Sequence, residues 1–393
     1  MQKQSLSQLP NAVFKEMGWD YFISEEAGDY LASEVVIVSD AEREAFYEAG
    51  NRLYELFVDA GEYVLRKDLL GTMGIPANLH ALIRHTWEDD RNLHLFGRFD
   101  FAGGTDGLPI KLLEFNADTP TSLPETAIIQ WGQLRANGIP EEEQFNFVYD
   151  ALIANFKRLR ELNPDREPAI LFSTLRDAPE DDHNVQLLEM AAREAGFETA
   201  FRYVDEVIFS AYNGIFASEG QGNTTQFPYW FKLIPWEYIA LDEPDLMDTL
   251  TKIVVNGHAM VLNPAYTMLF QSKAILAYLW DRNPEEPTLL ECSLQEPIGR
   301  SHYPFVEKVV LGREGANVAI FDAEGLPESV RSGEYENQIK VYQALAQLAR
   351  DEQGQYYQAG VFFAYEACGL GFRRSPNRII DNAAQFVGHR VEG

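Results

Sequence analysis

The sequence predicts a mixed α/β chain (α+β), in which a strand–helix–strand unit stands among antiparallel strand pairs and amphipathic helices. Three stretches predict it. Residues 98–101 and 113–116 alternate apolar and polar around Gly103-Gly104-Thr105-Asp106-Gly107, the pattern of two strands joined by a turn. Residues 169–175, 180–195 and 198–204 read as a short buried strand, a helix closed by Gly196 and a second strand. From Asp40 to Lys67, Phe46, Leu53, Leu56, Phe57 and Val64 recur on one stripe, which predicts a long helix.

The remaining elements follow in order. Pro76–Thr86 reads as a short helix that leads to the hairpin, with His85 read as a packed or surface residue outside any site. Ser122-Leu-Pro-Glu125 fits a capping box, and an apolar-periodic helix from Leu123 to Asn137 ends at Gly138. Glu141–Leu162 reads as a further helix, and Pro164–Pro168 as a boundary. The 169–204 unit carries no glycine fingerprint after its first strand, which argues against dinucleotide binding. Ser210–Gln226, rich in Gly, Asn, Ser and Thr, reads as a loop, and the aromatic Tyr229–Glu237 as a core strand and turn. Met268–Asp281 reads as a helix with Lys273 in its first turn, where a cation opposes the helix dipole unless it reaches an anion. Phe305–Leu311 and Val318–Phe321 are strands joined by Gly312–Asn317, and Val361–Tyr365 and Gly369–Arg373 form a last pair.

The hairpin is where chemistry is expected. One face carries Phe99, Phe101, Leu113 and Phe115, and the other carries Arg98, Asp100, Glu114 and Asn116. Unpaired ionised groups cannot simply be buried. Either that face is the solvated outside of an edge hairpin, or it gathers hard oxygen donors of the kind Mg²⁺ takes, leaving positions for phosphate oxygens. The N-terminus of the following helix, with Thr119, Thr121 and Ser122, would set an anion site beside it. The Gly312–Asn317 loop with Arg313 has the composition of a cover for a triphosphate.

Composition excludes other classes. The 393 residues carry a net charge of −29, spread along the chain, which argues against nucleic-acid partners. The N-terminus has no apolar leader core, no run of apolar residues reaches membrane length, and the cysteines Cys292 and Cys368 lie far apart. The expectation is a cytoplasmic protein with small-molecule partners and no membrane partner.

Taken together, Arg98-x-Asp100, Glu114-Phe-Asn116-Ala-Asp118-Thr-Pro-Thr-Ser, Ser272-Lys273-Ala, Lys308, Arg313-Glu-Gly-Ala-Asn317 and Gly369-Leu-Gly-Phe-Arg373 resemble, in that order, the synthetase region of the glutathionylspermidine synthase family, and more closely its short bacterial acid–amine ligases. The resemblance implies an ATP-grasp fold, circularly permuted, with N-terminal helices and metal-binding hairpin in residues 1–164, a substrate-side (pre-ATP-grasp-like) α/β domain in 165–265 and nucleotide-binding elements in 266–393. It implies Mg²⁺, with two ions accommodated, on Asp100, Glu114 and Asn116. It implies Arg98 at the transferred phosphoryl group or the acyl phosphate and Arg373 near the phosphates, both catalytic, and ATP on Arg98, Asp100, Lys273, Lys308, Gly312, Arg313, Gly315, Tyr342 and Gln343. Thr119, Thr121, Ser122, Glu180 and Asp181 would lie towards the acid substrate. The implied activity is ATP-dependent joining of a small peptide-like or amino-acid-like acid to an amine through an acyl phosphate. The alternatives are an ATP-binding protein of the same fold that acts through a partner with weak ATPase or no ligase activity, and a metal-dependent hydrolase. The chain departs from its relatives at Val309, where they have Pro, and at Ser122, where the glutathione-using synthases have Cys.

Overall fold

The structure is a computed structural model and describes residues 1–220, 223–296, 304–333, 335 and 337–393. It is a mixed α/β arrangement. Among the described residues, one eight-stranded sheet runs in the order Lys3–Ser5, Leu31–Ser39, Gln385–Glu392, Glu366–Ser375, Tyr356–Ala364, Gly97–Ala102, Lys111–Asn116, with Ala349–Arg350 paired on the side. All its pairings are antiparallel except Leu31–Ser39 with Gln385–Glu392. This sheet therefore takes strands from both the 1–164 and the 266–393 segments. The predicted hairpin is present and abuts the C-terminal strands: Asp100 lies opposite Glu114 on one side and Gly360 on the other.

The strand–helix–strand reading holds. Ala169–Ser173, Pro179–Glu194 and Glu198–Phe201 form the unit, with the two strands parallel. They join Tyr229–Lys232 and Met260–Leu262 in a four-stranded parallel sheet. The core strand Ala169–Ser173 is buried along its whole length, as expected of a parallel strand covered on both faces. A five-stranded antiparallel sheet, Cys292–Ser293, Lys340–Ala344, Phe305–Val309, Val318–Phe321, Pro327–Arg331, carries the glycine loop.

The long helix spans Asp40–Arg66 and starts in a complete capping box between Ser39 and Glu42. Its stripe packs against the apolar face of the hairpin: Phe57 meets Phe99 and Phe115, which stack with ring centroids 3.8 Å apart. This burial holds the hairpin's other face towards the interior of the molecule.

Several expectations are corrected. A bulge between Asp100 and Phe101 shifts the register, so Leu112 rather than Leu113 opposes Phe101 and is buried. The Glu141–Leu162 helix begins only at Val148, because Asn146 bridges to Gly369. The 210–226 stretch is largely a three-stranded antiparallel sheet, Val207–Ser210, Gly214–Gly220, Asn223–Phe227; residues 221 and 222 lie outside the described ones. Its polar composition suits a sheet with one solvated face as well as it suits a loop. The Met268–Asp281 helix is broken into Met268–Gln271 and Ile275–Arg282, and Lys273 lies in the break rather than in a first turn. Its amide donates to Val310 O across to the five-stranded sheet. Tertiary hydrogen bonding has replaced one turn of helix.

Candidate active site

A cavity of about 340 Å³ opens where the hairpin, the start of the Pro179–Glu194 helix and the five-stranded sheet meet. Arg98, Asp100, Glu114, Asn116, Thr119, Thr121, Ser122, Glu180, Asp181, Lys273, Lys308, Gly312, Arg313, Gly315, Gln343 and Arg373 all line it. Tyr342 does not. It precedes Gln343 on the Lys340–Ala344 strand, and successive side chains on a strand face opposite ways.

The polar face of the hairpin is built as a network. Arg98 donates to both carboxylate oxygens of Asp100, at 2.7 and 3.0 Å, and to Thr121 O at 2.7 Å. Asn116 donates its amide to Asp100 Oδ2 at 3.0 Å. Asp100 is only 2% exposed, so this fork is its compensation. Gly360 on the neighbouring strand leaves room for the Arg98 side chain: a Cβ there would stand 3.1 Å from Arg98 Cδ. Glu114 pairs with Lys273 at 3.1 Å. Burial works to raise the Glu114 carboxyl, but Lys273, Lys308 and Arg98 outweigh it and hold the group below the usual carboxylate range. Lys308 in turn donates to Gln343 Oε1 at 2.8 Å and Leu113 O at 3.2 Å. Burial pushes its ammonium down, with nearby Lys273 adding to the effect and Glu114 opposing it.

The glycine loop closes one side. Lys273 Nζ donates to Gly312 O at 2.7 Å. Gly315 has φ +71, and a Cβ on it would come within 2.8 Å of Ile380 O, so the backbone there needs glycine on both counts. Arg313 leaves the loop to reach Thr119 Oγ1 at 3.0 Å and Glu237 Oε1 at 2.9 and 2.6 Å. Thr119 is therefore a partner of the loop as well as a wall of the cavity.

The far wall is acidic. Glu180 accepts from Tyr21 Oη at 3.1 Å. Burial, reinforced by Glu180, Asp182 and Glu314, pushes Asp181 up from its ordinary 3.8 to about 7. The helix start at Ser122 is not the predicted capping box. Ser122 takes φ +67, its carbonyl accepts from Thr126, and Leu123 N is satisfied by Asn184 Oδ1. Glu125 is buried and accepts from Tyr30 Oη at 2.5 Å. The predicted helix is there, but its Glu125–Ile129 turn is π-wound.

Tyr21, Tyr30, Glu125 and Asn184 line the cavity and were not picked out by motif. Tyr30 and Tyr21 lie in the mixed N-terminal stretch, which has no periodicity to read. The local spacing of Glu125 pointed to capping. Asp118, by contrast, stands inside the motif but is fully buried: it accepts from Lys232 Nζ at 3.0 Å and from Trp236 N at 2.9 Å. It ties the hairpin exit to the parallel sheet.

Among the described residues, no group of three or more His, Cys, Asp or Glu side chains is placed to hold a metal. The hairpin's oxygen donors facing the cavity are two carboxylates and an amide, Asp100, Glu114 and Asn116, with the carboxylates paired to Arg98 and Lys273. That set fits Mg²⁺, which is held by one or two carboxylates plus waters and substrate phosphates, better than a metal needing an all-protein cage. The described helices include none long and apolar enough to cross a membrane.

The cavity is walled by lysines, arginines and a glycine loop on one side and by carboxylates on the other. The chain belongs to the glutathionylspermidine synthase family: the family model described as "Glutathionylspermidine synthase preATP-grasp" matches residues 1–392. Over 385 residues it is 29% identical to a Haemophilus influenzae protein named "Putative acid–amine ligase", covering 95% of this chain and 94% of that one. It is 26% identical over 350 residues to the Escherichia coli bifunctional glutathionylspermidine synthetase/amidase, covering 83% of this chain and 54% of that protein, about half its length. Among solved structures, a glutathione synthetase-like effector (GSS30) from Globodera pallida aligns with a TM-score of 0.47 and 9% identity over 87% of each chain.

Proposed function

We propose that this protein joins a small peptide-like or amino-acid-like carboxylic acid to an amine, using ATP to activate the carboxylate as an acyl phosphate. The observation that carries the proposal is the convergence: residues from six separate stretches, 98–122, 180–181, 273, 308–315, 343 and 373, line one cavity. We also read the fold as an ATP-grasp whose order of elements is permuted. The pairing of an early hairpin with the last strands of the chain supports this.

A carboxylate resists attack by amines because it has no good leaving group. Transfer of the terminal phosphoryl group of ATP to a carboxylate oxygen releases ADP and creates one. The amine nitrogen then bonds to the acyl carbon, the phosphate departs with the C–O electron pair, and the nitrogen loses a proton. The protein supplies position and charge. Arg98, clamped by Asp100, presents its guanidinium edge to the transferred phosphoryl group. Lys273 and Lys308, kept close by Glu114, offset charge on the nucleotide phosphates. Arg373, on the cavity wall, stands near the phosphates. Asp100, Glu114 and Asn116 would hold Mg²⁺, which supplies charge neutralisation on the phosphate oxygens. The wall at Glu180 and Asp181, expected towards the acid substrate, is acidic and suits a cationic amine and a proton acceptor instead.

Turnover of ATP over a panel of small peptides and amines tests this. ADP and phosphate should form only when both an acid and an amine are present, with an amide detected by mass. ATP that binds without acid- and amine-dependent turnover would replace this reading with the partner-dependent one. A lack of ATP binding would remove both.

One pH effect follows. Since Asp181 titrates at about 7 in the folded protein against its ordinary 3.8, its contribution to stability is full below 3.8 and is lost as pH rises through about 7. Asp181→Asn should therefore gain thermal stability over wild type at pH 8 relative to pH 5, measured by melting at both. The same charge strengthens amine binding as pH rises through 7, so the variant's KM for the amine should be flatter with pH.

A further inference from the structure

The loop Gly312–Asn317 is held at its tip by a residue that no motif assigns. Glu237 lies in the first turn of the Trp236–Asp242 helix, which follows the Tyr229–Lys232 strand of the parallel sheet, whereas the loop belongs to the five-stranded sheet. Both the Nε and one terminal nitrogen of Arg313 donate to Glu237 Oε1, at 2.9 and 2.6 Å. Glu237 is 2% exposed, and its Oε2 is buried with no hydrogen-bond partner among the described residues. Next to it, Tyr238 Oη lies 2.5 Å from Tyr335 Oη, and Tyr335 N donates to Asn317 Oδ1 at the end of the loop at 2.9 Å.

A buried carboxylate that loses its guanidinium is costly, because the other cation nearby, Lys232, is already paired with Asp118. Moving the loop away would leave Glu237 in that condition. A single neutralising change at Glu237 would remove the penalty and free the loop. We infer that Glu237 is a positioning residue for the ligase reaction: through Arg313 it holds the glycine loop down over the nucleotide side of the cavity. Its catalytic consequence rests on the reading of that loop as the cover of the ATP phosphates; its structural consequence does not.

Glu237→Gln keeps the side-chain volume and removes the charge. Hydrogen–deuterium exchange of the 310–318 peptide should quicken by roughly tenfold in this variant, while the 40–66 helix stays unchanged, since exchange follows the local opening equilibrium. KM for ATP should rise by roughly tenfold with kcat changed less than about threefold, as expected when binding rather than the chemical step is weakened. Glu237→Asp should recover part of the loss. In an Arg313→Ala background, Glu237→Gln should add less than about twofold, because interacting residues do not add. Unchanged exchange at 310–318, or an undiminished effect in the Arg313→Ala background, would overturn the inference. Should Glu237→Gln fail to fold, Arg313→Lys, which keeps the charge but cannot reproduce the paired contact, must show the same faster exchange. A wild-type protein that does not turn over ATP would defeat the ligase reading, and the exchange experiment would still decide the latch.

Discussion

Glu114→Gln should raise the apparent Kd for Mg–ATP by at least about 10- to 100-fold, the loss typical when even an outer partner of a metal ligand is removed. Titration calorimetry with and without Mg²⁺ measures it, and the magnesium dependence of ATP binding should largely vanish. ATP that binds the variant as it binds wild type would exclude Glu114 from the metal set. The same carboxylate also stabilises the fold, because Lys273 and Lys308 are both buried beside it. The variant should lose about 1–3 kcal/mol in urea unfolding, the cost of leaving a buried charged partner less well satisfied. The sign of the pH effect is fixed. The folded-state carboxyl titrates below its ordinary 4.5, so its contribution is present above that value and is lost as pH falls into the acid range. The stability gap between wild type and Glu114→Gln should therefore close on acidification below 4.5.

Lys232→Met should be the most destabilising single change away from the cavity. Lys232 and Asp118 are both fully buried and paired at 3.0 Å, with Lys232 also donating to Ile234 O. Removing one member of such a pair leaves an uncompensated charge and costs about 3–5 kcal/mol. The surviving Asp118 would keep only its bond from Trp236 N. Denaturant unfolding checks the value. Asp118→Asn combined with Lys232→Met should restore much of the loss, since removing both charges removes the penalty. A double variant no more stable than Lys232→Met would mean that the cost is one of packing rather than of charge.

The hairpin, the long helix and the strand–helix–strand unit were legible because each announces itself by local periodicity. Phe99 and Phe115 alternate with Asp100 and Glu114 whatever the rest of the chain does. The bulge beyond Asp100 was not legible, because it depends on which residue of the second strand pairs with Phe101. Nor was the break at Ser272–Ala274. Locally the sequence favours continuing the helix, and the Lys273 amide gives that up for a carbonyl on Val310, 37 positions away by residue number. At Ser122 and Glu125 the spacing of a capping box was present, but a half-buried tyrosine nearly a hundred positions earlier took the carboxylate.

By itself, the sequence determined which residue types were available to bind phosphate and metal, since ordered motifs with hard oxygen donors, lysines and a glycine loop are chemical facts of composition and spacing. Only the tertiary structure decided which of them share a cavity, because convergence of stretches up to 275 residues apart, Arg98 to Arg373, is set by strand pairing and core packing rather than by local preference. It turned Asp118 and Glu237 into buried partners and gave Tyr30 and Glu125 a place in the wall. The physical reason is that burying a charge obliges the fold to supply its counter-charge, and that partner can come from any point along the chain.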